Sequence, residues 1–228
     1  MAIITAESVS LSLNAVGSHN NRNKFKTKLL DNVNLQIGSG DRVGVIGSNG
    51  SGKTSLLRML SGIYKPTSGS IQIFGEVSCL LDSGLGLELE RNAIENIRVY
   101  GLMKGRKSKD TEKRIDNILE FAGLTNFAKM PVRFYSQGMY LRLAFTLATE
   151  WPAEILVVDE GIGTGDKEFQ SKATERLRTY LHSTSILLIA SHSMELIESY
   201  CDSAIVMRSG KANIYKTVHE AFVDYTGG

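Results

Sequence analysis

Gly47-Ser48-Asn49-Gly50-Ser51-Gly52-Lys53-Thr54 satisfies the pattern G-x-x-x-x-G-K-[ST] at every fixed position, and no other stretch narrows the possible folds as much. The pattern needs a strand before it and a helix after it. The apolar run Val43 to Ile46 predicts a buried strand, and Lys53 to Leu60, carrying Leu56, Leu57, Met59 and Leu60, predicts the helix. Glycines at 47, 50 and 52 let successive backbone N–H groups face one concavity, and the helix dipole adds positive potential there. Such a loop suits phosphate. Lys53 is expected to reach the β- and γ-phosphates of a nucleotide and Thr54 to offer its hydroxyl to Mg²⁺, with Ser48, Asn49 and Ser51 completing the cradle. The plain alternative, a Gly/Ser-rich turn that merely contains Lys-Thr, does not require the flanking strand and helix signals.

A chain of 228 residues can bury one sizeable core, and strands alternating with helical stretches predict an α/β fold, with any second lobe as an insertion. Lys and Arg number 26 against 24 Asp and Glu, a net charge of +2 that is too small for a dedicated nucleic-acid binder. No nucleic acid is therefore expected among the partners. Cys79 and Cys201 lie in apolar stretches without C-x-x-C spacing, which points to a reducing compartment. The start Met1-Ala2-Ile3-Ile4-Thr5 has no basic leader region, and no apolar stretch nears the roughly 18 residues needed to span a bilayer. Membrane association is expected to come through a partner.

Residues 3–13 and 34–46 carry short alternating or apolar runs around a polar stretch from Gly17 to Lys28, which reads as strands flanking a loop. Ile71 and Ile73, a Gly75-Glu76 turn and the run Val77 to Leu81 read as a hairpin. From about Asn92 to Phe127 the period becomes helical, with Ile94, Ile97 and Tyr100, then Ile115, Ile118, Leu119 and Ala122. An inserted helical lobe is expected over about residues 92–150. Beyond it the pattern predicts strand Ile155 to Val158, helix Lys167 to His182, strand Ile186 to Ala190, helix Met194 to Tyr200 and strand Ala204 to Met207. Thr217-x-x-Glu220 is expected to open a last helix as a capping box. Lys104, Arg106, Lys107, Lys109, Lys113 and Arg114 form a basic cluster in the lobe; it reads as a solvated helix face, with a surface for lipid headgroups or a partner as the alternative.

The strand Ile155 to Val158 ends in Asp159-Glu160, where an α/β sheet places its ligand-handling residues. Asp159 is suited to hold Mg²⁺, and Glu160 to orient and deprotonate the water that attacks a γ-phosphate. Alone, such a pair could equally cap a helix; beside a phosphate loop the metal and base roles take precedence. His192 sits at another strand end of the same sheet, within reach of a γ-phosphate, although a lone His there is more often structural.

Together these residues resemble the ATP-binding subunits of ABC transporters, because the phosphate loop is joined by Tyr135-Ser136-Gln137-Gly138-Met139, by Ile155 to Glu160 and by His192 in the same order. The resemblance implies a P-loop NTPase of ABC type, with a mixed sheet core, an antiparallel N-terminal β region and the inserted helical lobe. It implies that Ser136, Gln137 and Gly138 are the signature segment, which opens the helix Tyr140 to Glu150 and contacts ATP held by the other subunit. Gly163-Thr164-Gly165-Asp166 is similar to the loop that links the two composite sites across a dimer. The stretches Tyr135 to Phe145, Leu80 to Gly86 and Asp159 to Gln170 look most like the exporters of lipid-linked polysaccharides: O-antigen, capsule and teichoic-acid systems. The chain departs from the family pattern in two places: Leu13 stands near the usual adenine-stacking aromatic, with Phe25 in the following loop, and Asp82 and Ser83 stand where a glutamine is usual.

One phosphate loop and one signature segment per chain imply a head-to-tail homodimer closed by ATP and docked, on the cytoplasmic face of the membrane, to an integral-membrane permease. An exporter of a drug or small lipid is the nearer alternative, and a non-transport ABC ATPase the more distant one. Some relatives in this group carry an additional C-terminal carbohydrate-binding domain; this chain is expected to end with its nucleotide-binding domain, leaving glycan recognition elsewhere. The stretch Asp82 to Glu90 is expected to present Leu85 and Leu87 to the permease, unless both leucines fold into the protein's own core.

Overall fold

In the antiparallel region, side chains alternate between core and solvent, so a phase slip marks an extra residue. The computed structural model describes residues 1–16, 24–80, 86–159 and 167–227. Strand β1 (Ile3–Val16) buries Ile4 and Ala6 and then Val9 and Leu11, a slip of one residue at Ser8, whose φ is 49°. Its partner β2 (Lys24–Gly38) slips in the same way at Asn32, between Leu30 and Val33. The register breaks between Ala6 and Val9, so bulges keep the apolar face inward on both strands.

The chain divides into two compact units: Met1–Ser78, Ala153–Glu160 and Thr184–Gly228 form one, and Cys79–Pro152 with Gly161–Ser183 the other. In the first, β3 (Arg42–Ile46) leads into α1 (Lys53–Leu60), and β4 (Ser68–Phe74) pairs antiparallel with β1 to complete a three-stranded sheet in the order β2-β1-β4. Next comes β5 (Val77–Leu80), whose second half opens the other unit.

That other unit is helical. It comprises α2 (Ala93–Met103), α3 (Ser108–Glu112), α4 (Ile115–Ala122), the 3-10 turns Thr125–Phe127 and Val132–Phe134, α5 (Gln137–Glu150) and α6 (Lys167–Ser183). Asn92 caps α2 with a reciprocal box: its side chain accepts from Glu95 N–H while Glu95 accepts from Asn92 N–H. Ile97, Ile118, Leu143 and Leu147 are fully buried in its core, and Trp151 stacks on Tyr100 with centroids 5.9 Å apart. Arg114 and Arg176 both reach Glu150, which ties α6 to the end of α5.

Between these helices the chain lays down β6 (Ile155–Val158), and after α6 come β7 (Ile186–Ala190), α7 (Met194–Tyr200), β8 (Ser203–Arg208), β9 (Lys211–Tyr215) and α8 (Val218–Thr226). The second sheet has the order β5-β6-β7-β3-β8-β9. Strands β6, β7, β3 and β8 are parallel and β9 returns antiparallel. Every residue of β6 and β7 is buried, which explains their unbroken apolar runs.

Four expectations need correction. The polar stretch is not all loop, because β2 begins at Lys24 and its ladder to β1 pairs Ser12 with Lys28 and Val16 with Lys24 through the backbone. The expected hairpin does not form between β4 and β5: β4 pairs with β1, while Glu76 O accepts from Ile155 N–H at 3.0 Å and β5 joins the other sheet. The helix expected from Tyr140 starts at Gln137. The fourth correction is an addition, β9, whose mostly outward-facing residues leave little apolar signal. Among the described residues no helix is long and apolar enough to cross a membrane.

Candidate functional site

Three strand ends meet because β7 lies between β3 and β6. Val45 is level with Ala190 and Val158 with Ile189, so the residues that follow β3, β6 and β7 leave the sheet side by side. These are the phosphate loop, Asp159, and Ser191-His192.

At Gly47 the loop passes so close to β8 that a Cβ would stand 2.5 Å from the Met207 carbonyl and 2.7 Å from Ser51 Oγ. Only glycine fits there. Gly52, in the left-handed region, begins α1 with no side chain capping the first amides, and the buried Ser51 Oγ has no hydrogen-bond partner among the described residues. An uncapped helix start with an orphaned hydroxyl beside it suits phosphate oxygens.

The Lys53 side chain is buried, and its Nζ donates to the carbonyls of Gly47 (2.7 Å) and Ser48 (3.3 Å). The ammonium is thereby folded back along the loop. His192 Nε2 lies 3.1 Å from Asn49 Oδ1 and 3.5 Å from Lys53 Nζ. His192 thus turns Nε2 toward the loop, between an amide oxygen and an ammonium. The pairing of Asn49 with His192 was not legible beforehand, since position 49 is one of the motif's unconstrained residues.

Thr54 Oγ1 donates to Asp159 Oδ2 at 2.7 Å, and Asp159 is buried at the end of β6. One hydroxyl and one carboxylate oxygen in contact make a hard-oxygen pair that fits Mg²⁺, which takes one or two protein oxygens and fills its shell with water and phosphate. Glu160 and Asp166 lie outside the described residues, as do Asp82 and Ser83. Leu13 is half exposed.

In the helical unit, Ser136 is the N-cap of α5: its Oγ accepts from Met139 N–H at 3.2 Å, and Gln137 and Gly138 form the first turn. One polar residue escaped sequence reasoning. Asn96 is buried on the face of α2 that carries Ile97 and Tyr100. Its Oδ1 accepts from Glu88 N–H at 2.7 Å, and its Nδ2 donates to the carbonyls of Glu88, Arg91 and Asn92. The signal was a polar residue in the apolar phase of a helix. This clamp draws Leu87 into the helical unit's core, which corrects the expectation of an exposed Leu87; Leu85 lies outside the described residues.

A glycine-rich loop between a parallel strand and a helix, facing a carboxylate on the next strand but one, defines a P-loop nucleotide-binding protein. Residues 30–163 match the family model described as ABC transporter, and the chain belongs to that family. Curated relatives include the O-antigen export system ATP-binding protein RfbE of Yersinia enterocolitica, 41% identical over 181 residues covering 79% of this chain and 76% of that one. The corresponding RfbB of Myxococcus xanthus is 38% identical over 85% of this chain and 44% of its own. The teichoic acids export ATP-binding protein TagH of Enterococcus faecalis is 36% identical over 86% of this chain and 44% of its own. The chain thus spans less than half the length of two of these three. Among solved structures, the dimeric post-hydrolysis state of an ATP-binding cassette bound to ADP and Pi matches with a TM-score of 0.74 over 94% of this chain and 98% of that one, at 20% identity. That likeness establishes the fold.

Proposed function

We propose that the chain is the ATP-hydrolysing subunit of an ABC exporter that drives a lipid-linked polysaccharide across the cytoplasmic membrane. It works as a homodimer beneath an integral-membrane permease on the cytoplasmic face, and residues 1–228 act as one nucleotide-binding domain with its helical lobe near 92–150. The contact of Thr54 with Asp159 at the mouth of the phosphate loop carries the hydrolytic part of this reading. The export names of the relatives support the cargo.

On this reading the loop amides from Gly47 to Gly52 hold the phosphates, and Lys53 exchanges its carbonyl partners for phosphate oxygens. Thr54 and Asp159 hold Mg²⁺, which when bound neutralises charge on the β- and γ-phosphate oxygens. Glu160 takes a proton from the attacking water, and His192, released from Asn49, reaches the γ-phosphate by a hydrogen bond. Ser136, Gln137 and Gly138 complete the site of the opposite copy, and Asp166 lies where the two copies meet. Hydrolysis removes the bridge between subunits, and the dimer reopens.

The test has two arms. Glu160→Gln is expected to bind ATP and elute as a nucleotide-dependent dimer without turnover, whereas Lys53→Ala loses binding; wild-type hydrolysis by Glu160→Gln refutes the base assignment. A strain lacking the chain is expected to retain lipid-linked glycan on the cytoplasmic side. Unchanged surface polysaccharide refutes the cargo.

A further inference from the structure

The corner where α2 turns into α3 combines two properties that a solvated helix face does not need. Leu102 and Met103, adjacent in the last turn of α2, are 75% and 71% exposed, more than any other large apolar side chain among the described residues except Met1. Seven cations and two anions lie between residues 98 and 114, in a chain whose net charge is only +2, so the remainder of the chain is net negative. Of the two anions, Glu112 is taken up by Arg98 through a two-bond fork of 2.6 and 3.0 Å. Lys107, Lys109 and Lys113 are exposed, and none makes an ion pair among the described residues.

The corner is also closely packed. A Cβ on Gly101 would stand 2.4 Å from Thr111 Oγ1, so α2 and α3 cross in direct contact there. Past the helix end, Gly105 takes the left-handed conformation and Arg106 N–H reaches back to the Gly101 carbonyl at 2.9 Å. This reversal ends α2 abruptly. Leu102 and Met103, in the turn just before this reversal, face solvent.

We propose that Leu102, Met103, Lys104, Lys107, Lys109 and Lys113 form a docking surface for an anionic lipid bilayer, giving the chain a membrane contact of its own. The occupant follows from complementarity. Two exposed apolar side chains suit the acyl boundary of a leaflet, and the exposed lysines that follow them in the chain suit acidic headgroups. Each lysine near an anionic surface strengthens binding about fivefold, and salt weakens the attraction beyond a Debye length of about 8 Å. The inference does not rest on the hydrolytic reading.

Flotation of the full chain with phosphatidylcholine vesicles, and with vesicles containing phosphatidylglycerol, tests it. The chain is expected to float with the anionic vesicles alone, and less so as salt rises. Replacing Lys107, Lys109 and Lys113 together by Gln is expected to lower that affinity on the order of a hundredfold. Leu102→Ser with Met103→Ser is expected to weaken it while preserving its salt dependence. All five positions are exposed, so thermal unfolding is expected to be unchanged and ATP turnover to stay at the wild-type level; loss of flotation is thus distinct from failure of the ATPase assignment. Equal flotation with neutral vesicles, no response to the lysine replacements, competition by glycerol 3-phosphate, or capture only by vesicles that carry a membrane protein overturns the proposal.

Discussion

Replacing Thr54 by Val removes one oxygen and little volume, so it isolates the hydroxyl that faces Asp159. The hydrogen bond is 2.7 Å long and its acceptor is a buried carboxylate, and bonds to charged groups contribute about 1.5–3 kcal/mol. Because Val fills the same space, no cavity adds to the loss. For a chain of this size the change corresponds to a melting point lower by roughly 3–12 °C. Nucleotide-free protein is measured first, as wild type, Thr54→Val, Asp159→Ala and the double variant, so that the cycle isolates the pair from other interactions of Asp159. The second assay is ATP binding with and without Mg²⁺. Thr54→Val is expected to bind ATP normally in chelator and to lose the enhancement given by Mg²⁺. A coupling below about 0.5 kcal/mol, or an equal loss of ATP affinity in chelator, refutes the assignment of this oxygen pair to the metal.

Three further outcomes are expected. Asn96→Ala strips partners from the Glu88 N–H and the carbonyls of Glu88, Arg91 and Asn92, and should cost about 2–4 kcal/mol in denaturant unfolding; wild-type stability would mean the clamp carries little. Leu87→Asp places a carboxylate in the helical unit's core and should destabilise by more than about 3 kcal/mol, lost soluble yield being the readout and normal yield the refutation. Burial pushes the Cys201 thiol up to about 12, leaving about one part in 10⁴ as thiolate at pH 8, so alkylation of native protein should label the partly exposed Cys79 well before Cys201. Equal labelling rates would contradict that burial.

What could be read from the sequence depended on where each residue's partner lay. Ile155 to Val158 and Ile186 to Ala190 are buried on both faces, and burial on both faces writes an uninterrupted apolar run; both strands stand where the run predicts them. Helix Met194 to Tyr200 has the expected bounds, whereas only half of the expected capping box forms: Thr217 accepts from Glu220 N–H, and no bond returns from the Glu220 side chain to Thr217 N–H. The polar end of β2 was hidden because that ladder is held by backbone groups, which leave no trace in side-chain chemistry. The parting of β4 from β5 depends on Ile155, far along the chain, capturing the Glu76 carbonyl. The site divides in the same way. Its loop is a local pattern, but the contact of Asn49 with His192 spans 143 positions and is settled only by the order of strands in the sheet.

The capping bond at Ser136 fixes the polarity of that hydroxyl. Because Oγ accepts from Met139 N–H, one lone pair is committed to the helix and the O–H hydrogen is turned outward, so the group can meet a visiting phosphate only as a donor. On the proposed role of Ser136, helix start and ligand contact make different demands on one atom. Aspartate there would keep the cap and present a negative charge to the phosphate; alanine would lose both; threonine keeps an acceptor for the helix and a proton for the nucleotide on one atom.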